Sequence, residues 1–256
     1  MPKFAANLTM LFTDRPFLDR FAVASAAGFK AVEFLFPYDH PAQQVADTAK
    51  AAGLQVILHN LPAGNWAGGE RGIACLPDRV AEFRAGVTKA IEYAHALGAP
   101  QLNCLAGLAP STDANAHRTL VENLRFAADA LQAAGIGLLL EPVNTRDVPG
   151  FFVPRTAQGL AILDEAAHPN IKLQYDIYHA QVMEGDLLPT IERNLARIGH
   201  MQVADNPGRG EPGTGEINYP YVFRRLDELG YAGWIGCEYK PTPAGLAWMQ
   251  PYLAAA

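Results

Sequence analysis

Cysteine is scarce in this chain of 256 residues. The three present, Cys75, Cys104 and Cys237, are odd in number and show no Cys-x-x-Cys spacing, so they spell no disulfide framework. Long apolar runs are also missing, and none reaches the roughly 18 residues that a bilayer span needs. The opening residues, MPKFAANLTMLFTD, lack a basic segment followed by a sustained apolar stretch, so they do not read as a signal peptide. A reducing, cytoplasmic setting without a membrane partner is the expectation. Basic charge is lacking too. The formal net charge of −6 argues against a nucleic-acid partner, which would need a basic face. It leaves room for a small anionic substrate if Arg or Lys side chains collect at one site. No G-x-S-x-G elbow, H-E-x-x-H pair or Walker-type loop occurs, so nucleophilic and phosphoryl-transfer chemistry have no support.

What the chain does have is alternation. Half of its residues are apolar, enough for a large core in one domain. Short apolar runs recur eight times, at 3–8, 31–36, 54–60, 100–107, 136–143, 171–179, 198–205 and 233–241. Between them lie amphipathic stretches such as FLDRFAVASAAG and VENLRFAADALQAAG, each closing on Gly, the favoured residue just beyond a helix end. Eight strand–helix units with no linker predict a single-domain α/β fold over 1–256, a (β/α)₈ TIM barrel. A doubly wound open sheet is the alternative, but it rarely needs eight regular repeats in so few residues. The longest insertion, LPAGNWAGGERGIACLPDR at 61–79, is rich in Gly and carries Trp66, Glu70 and Arg71. Its length marks it as a functional loop.

In such a barrel the site lies at the C-terminal ends of the strands. Glu33, His59, Glu141, Asp176, His179, Gln202, Asp205, Glu238 and Lys240 stand at or near those ends. One such residue is ordinary at a wet rim. Glu141, Asp176, Gln202 and Glu238, at similar depth on consecutive strands, point to one site. Three carboxylates and an amide oxygen form an all-oxygen set suited to a hard divalent metal ion such as Mg²⁺ or Mn²⁺. Without a cation, crowded carboxylates would force a proton onto at least one of them. The run IKLQYDIYHA (171–180) is expected to turn Gln174 and Asp176 inward, with His179 supporting a ligand. His40, His95, His117 and His168 fall in helical or loop segments and receive no role.

GRGEPG at 208–213 matches the dinucleotide fingerprint literally, but it comes late in the chain and Pro212 is poor material for opening a helix. A Gly-rich anion-binding loop fits it better, with Arg209 as a cationic partner. Two carboxylates flanking a bound metal can move a proton between adjacent carbons of a hydroxy-carbonyl substrate, through an enediolate. Glu141 and Glu238 suit those two roles. An isomerase or an epimerase results.

The segments FAANLTMLF, AVEFLFPYD, HNLPAGNWAGGERGIACLP, NCLAG, EPVNTRDVPGFF, QYDIYHAQVMEGDL, IGHMQVADNPGRGEPGTGEINY and GWIGCEYKP run nearly end to end. In them the chain resembles the hydroxypyruvate isomerase family, within the xylose-isomerase-like barrels. The resemblance implies interconversion of hydroxypyruvate and 2-hydroxy-3-oxopropanoate (tartronate semialdehyde), and a place in glyoxylate metabolism. It implies catalytic glutamates at Glu141 and Glu238 and metal positions at Glu141, Asp176, Gln202 and Glu238. Many relatives have His where this chain has Gln202, a weaker neutral ligand, which leaves strict metal dependence open. His59, Arg71, His179, Arg209 and Lys240 are the expected substrate-binding residues, with the three cationic ones as anchors for a carboxylate. The nearest alternatives are a 2-oxo-tetronate isomerase and a sugar or sugar-acid epimerase with the same glutamates. A nuclease of the wider group would need more ligands and a basic groove, and a non-catalytic sugar-acid binder would tolerate loss of Glu141. Homo-oligomerisation stays open.

Overall fold

The computed structural model describes residues 1–242 and 245–253; the ends of the expected 1–256 domain at 254–256 lie outside them. Eight strands pair in parallel and in chain order: β1 (Lys3–Asn7), β2 (Ala31–Phe34), β3 (Gln55–Asn60), β4 (Gln101–Cys104), β5 (Gly137–Leu140), β6 (Ile171–Asp176), β7 (Ile198–Val203) and β8 (Trp234–Cys237). The sheet closes where Lys3 of β1 stands opposite Trp234 and Ala6 opposite Cys237 of β8. Closure excludes the open-sheet alternative and gives the (β/α)₈ barrel. Around it pack α1 (Arg20–Ala26), α2 (Ala42–Ala51), α3 (Val80–Leu97), α4 (Ala114–Ala133), α5 (Thr156–Ala166), α6 (Ile177–Met183), α7 (Leu187–Asn194) and α8 (Tyr219–Glu228), and the short α9 (Gln250–Leu253) ends the described chain.

The strands stop earlier than the apolar runs suggest. The largest difference is at 171–179, where β6 ends at Asp176 and Ile177, Tyr178 and His179 open α6. The cause is local: the Asp176 carboxylate accepts the backbone N–H groups of Tyr178 and His179, a helix N-cap that competes with further strand. The helix ends follow expectation, for Gly28 and Gly135 take positive φ values just past α1 and α4.

Two apolar layers hold the barrel. The main core fills the space between strands and helices. A small plug of Ala5, Ala31, Ile57, Leu58 and Leu139 lies apart from it. Alternation then places polar side chains inside the barrel, among them Asn7, Glu33, Gln174, His200 and Gln202, all buried. Pairing register shifts between Val32 and Glu33 and again between Leu173 and Gln174. Such bulges re-aim side chains near active sites, and here each one immediately precedes a polar interior residue. Gly236 completes the fit, since any Cβ there would overlap the Glu33 carboxylate.

Candidate active site

Glu141, the residue after β5, Asp176 at the end of β6, Gln202 within β7 and Glu238 just after β8 are all buried and share one electrostatic environment. Asn103 on β4 donates through Nδ2 to Glu141 Oε2 at 2.7 Å. Glu238 is held from two sides. Its Oε2 accepts from Asn7 Nδ2 at 3.0 Å and from Gln202 Nε2 at 2.6 Å. Its Oε1 accepts from Arg209 Nη2 at 2.6 Å.

Crowding has the effect expected of carboxylates on low-dielectric walls. Burial, then the nearby Glu238 and Asp176 charges, push the Glu141 carboxyl well above its usual range. Burial raises Asp176 to about 6 against the pull of Arg209. Burial likewise raises Glu238 to about 8, again opposed by Arg209, with Asp176 and Glu33 adding to the rise.

Glu141, Asp176 and His179 each bring a potential ligand atom within 4.8 Å of the others, and Asp176 Oδ2 is buried without a hydrogen-bond partner among the described residues. Buried acids with an unclaimed oxygen are the donor set a hard divalent cation takes. His179 has a different part in this arrangement. Asn144 Oδ1 accepts the Asp147 N–H at 2.7 Å, so its Nδ2 faces His179 Nδ1 at 2.6 Å. His179 Nδ1 is therefore an acceptor, and burial keeps the ring neutral by lowering its pKa. The ring proton then sits on Nε2, 3.6 Å from Asp176 Oδ2, which makes His179 a support for Asp176. Gln202 turns its nitrogen, not its oxygen, toward the acids: Nε2 donates to Glu33 and Glu238, and Oε1 accepts from Gln174.

A cavity of about 420 Å³ opens above these groups, lined by Glu141, Glu238, His179, Arg71, Arg209 and Lys240. That volume suits a small ligand. Arg71 lies over the Trp66 ring at 4.2 Å, and the 61–79 loop carrying both is tied down where Arg79 pairs with Glu70 at 2.6 Å. His59 is not part of the wall. It lies buried beside Tyr38, its Nδ1 3.1 Å from the Asn60 carbonyl, and burial lowers its pKa to about 4, so it is neutral.

Comparison with known proteins agrees with this fold. Residues 21–254 match the family model described as xylose isomerase-like TIM barrel. The chain is 52% identical to the hydroxypyruvate isomerase of Escherichia coli (strain K12), over 98% of this chain and 100% of that protein. It is 51% identical to the 2-oxo-tetronate isomerase of Cupriavidus necator, over 99% of each. A crystal structure from Brucella melitensis, named as an AP endonuclease of family 2, superposes with a TM-score of 0.95 at 45% identity, covering 98% of this chain and 99% of that one. The chain belongs to the xylose isomerase-like TIM-barrel family, in its hydroxypyruvate isomerase branch.

Several site residues escaped sequence reasoning. Asn7 and Asn103 hold the two glutamates from the barrel wall, and the signal was present: one is the last and the other the last but one residue of its strand. Asn144 and Asp147, in the segment after β5, orient His179 and approach Arg209, whose Nη1 lies 3.7 Å from Asp147. His200 had a period-two signal, two residues before Gln202, and it meets Glu33 at 2.6 Å.

Proposed function

We propose that the chain, acting as one barrel domain, isomerises a small hydroxy-oxo acid, interconverting hydroxypyruvate and tartronate semialdehyde within glyoxylate metabolism in a reducing cytoplasm. The observation that carries this is that Glu141 and Glu238 line one cavity together with three cationic side chains. Asn103 fixes one oxygen of Glu141 and leaves Oε1 for substrate. Glu141 takes a proton from the hydroxymethyl carbon, and an enediolate forms. Glu238 delivers a proton to the former ketone carbon, while the hydroxyl proton passes to the former ketone oxygen. Arg71, Arg209 and Lys240 supply the positive charge that a carboxylate needs.

Glu141 and Asp176, with Gln202 and Glu238 beside them and His179 supporting Asp176, are the residues that would hold Mg²⁺ or Mn²⁺. When bound, such an ion supplies electrophilic polarisation of a carbonyl oxygen and stabilises developing negative charge. DNA cleavage fits this site poorly. Glu141, Asp176 and His179 form the one metal-competent cluster found among the described residues, and the chain carries a net charge of −6. No helix among the described residues is long and apolar enough to cross a membrane.

Proton NMR of the Mn²⁺- or Mg²⁺-supplemented protein with hydroxypyruvate in D₂O tests the reading. Loss of the hydroxymethyl signal with growth of tartronate semialdehyde is expected. If hydroxypyruvate stays untouched while a four-carbon oxo acid turns over, the substrate assignment falls and the 2-oxo-tetronate alternative replaces it.

The pKa shifts give a second expectation. A carboxyl raised by folding contributes stability that is complete below its unfolded value, near 4, and is lost as pH rises through the folded value. For Asp176 that loss runs from about 4 to about 6, and for Glu238 from about 4 to about 8. Added Mn²⁺ reverses it by binding the ionised acids. The Tm difference between Mn²⁺- and EDTA-treated samples should therefore grow steadily from pH 5.5 to 8.5. A pH-independent difference would contradict it.

A further inference from the structure

The two glutamates are not equally ready. Glu141 has one oxygen engaged, through Asn103. Glu238 has both engaged, Oε2 by Asn7 and Gln202 and Oε1 by Arg209. While that last contact stands, Glu238 has no oxygen to offer a substrate. Arg209 is in turn incompletely used. Its Nε–H and Nη2–H form one edge, the fork that grips a carboxylate with two parallel hydrogen bonds. In this structure Nη2 serves Glu238, whereas Nε is buried with no partner among the described residues. An unpaired buried donor is costly. The guanidinium also lines the substrate cavity and lies 5.2 Å over the Tyr178 ring. Its backbone takes the left-handed φ of 55°, uncommon for a residue with a Cβ, and its carbonyl is fixed by the Lys240 N–H at 2.8 Å.

We propose that Arg209 is a carboxylate-operated latch on Glu238: the substrate carboxylate takes the Nε/Nη2 edge, and Glu238 Oε1 is released for proton transfer. This deepens the isomerase reading and rests on it. The carboxylate, although remote from the carbons that exchange protons, then completes the catalytic pair as well as anchoring the substrate. Binding energy from a non-reacting group is thereby used at the reacting centre. Small hydroxy-carbonyl compounds without a carboxylate meet a Glu238 that is still occupied, so they are excluded by more than weak binding.

The test divides the substrate. Glycolaldehyde is hydroxypyruvate without its carboxylate, and formate supplies that piece separately. Exchange of a ¹³C label between the two carbons of glycolaldehyde, a degenerate isomerisation that needs Glu238 to protonate the former carbonyl carbon, is followed by carbon NMR with the Mg²⁺-supplemented protein. The expected result is slow exchange alone and saturable activation by formate of about tenfold or more. In Arg209→Met, exchange without formate should rise, formate should no longer act, and hydroxypyruvate turnover should fall. Formate that leaves wild-type exchange unchanged or lowers it, while hydroxypyruvate is isomerised, overturns the latch and spares the isomerase. Activation that persists in folded Arg209→Met places the carboxylate elsewhere and also overturns it. If hydroxypyruvate itself is not isomerised, both readings fall together. Should Arg209→Met not fold, the wild-type formate response decides alone.

Discussion

Glu141→Gln is expected to lose turnover by about 10³-fold, within the 10²–10⁴ range of a positioned acid–base group, while its melting temperature holds or rises. The loss follows from chemistry: an amide of the same shape cannot take a proton from carbon. The stability follows from the environment. Glu141 is buried beside Glu238 and Asp176, which push its carboxyl well above the usual range, so its ionised form is a cost of the fold. The Gln side-chain oxygen can still accept from Asn103, which now donates at 2.7 Å. Activity and stability moving in opposite directions is the signature of a residue kept for function. Steady-state kinetics and a thermal melt on the same preparation decide it. Near-wild-type turnover in a well-folded Glu141→Gln protein would remove the residue from the mechanism.

The second large effect is expected inside the barrel, away from the cavity. Glu33 is fully buried, and three donors converge on it: Asn7 at 2.9 Å, Gln202 at 2.7 Å and His200 at 2.6 Å. Removing the acceptor from a buried polar cluster strands its donors, and each buried donor left unpaired costs about 1–3 kcal/mol. Glu33→Ala should lower Tm by about 10 °C, given roughly 2–4 °C per kcal/mol for domains near this size. It should also reduce activity, because Asn7 and Gln202 are the donors that hold Glu238. Glu33→Ala combined with His200→Ala should cost less than the sum of the two, since the pair is shared. Strict additivity in calorimetry would show that Glu33 and His200 are not coupled.

These two residues also show how far the sequence could be read. Glu141 and Glu238 were legible because each directly follows a short apolar run, where polarity has no structural reason to be. The barrel was legible because eight runs alternate with helical segments. Glu33 was visible as a charge near a strand end, but its meaning depended on His200, 167 positions away, and no local pattern reports such a contact. Gln202 was legible as a position but not as an orientation. Which end of an amide faces the acids is set by its neighbours, here Gln174 on one side and Glu33 and Glu238 on the other. His59 stood at the right strand end, yet it turns to Tyr38 and the Asn60 carbonyl instead of the cavity. The boundary of β6 was overrun because Asp176 serves as both site residue and helix cap, and periodicity sees neither role.

One acid gathers much of the backbone of the loop that carries Arg209. Asp205 accepts the backbone N–H groups of Asn206, Gly213, Gly215 and Ile217, and a Cβ on Gly215 would overlap the Asn206 carbonyl. With its backbone stitched at both ends, the loop leaves only the Arg209 side chain free to change partners. Lid and domain movements take microseconds to milliseconds, whereas side-chain rotations are far faster. An exchange of partners at Arg209 therefore runs on the clock of a rotamer, and turnover need not wait for a lid.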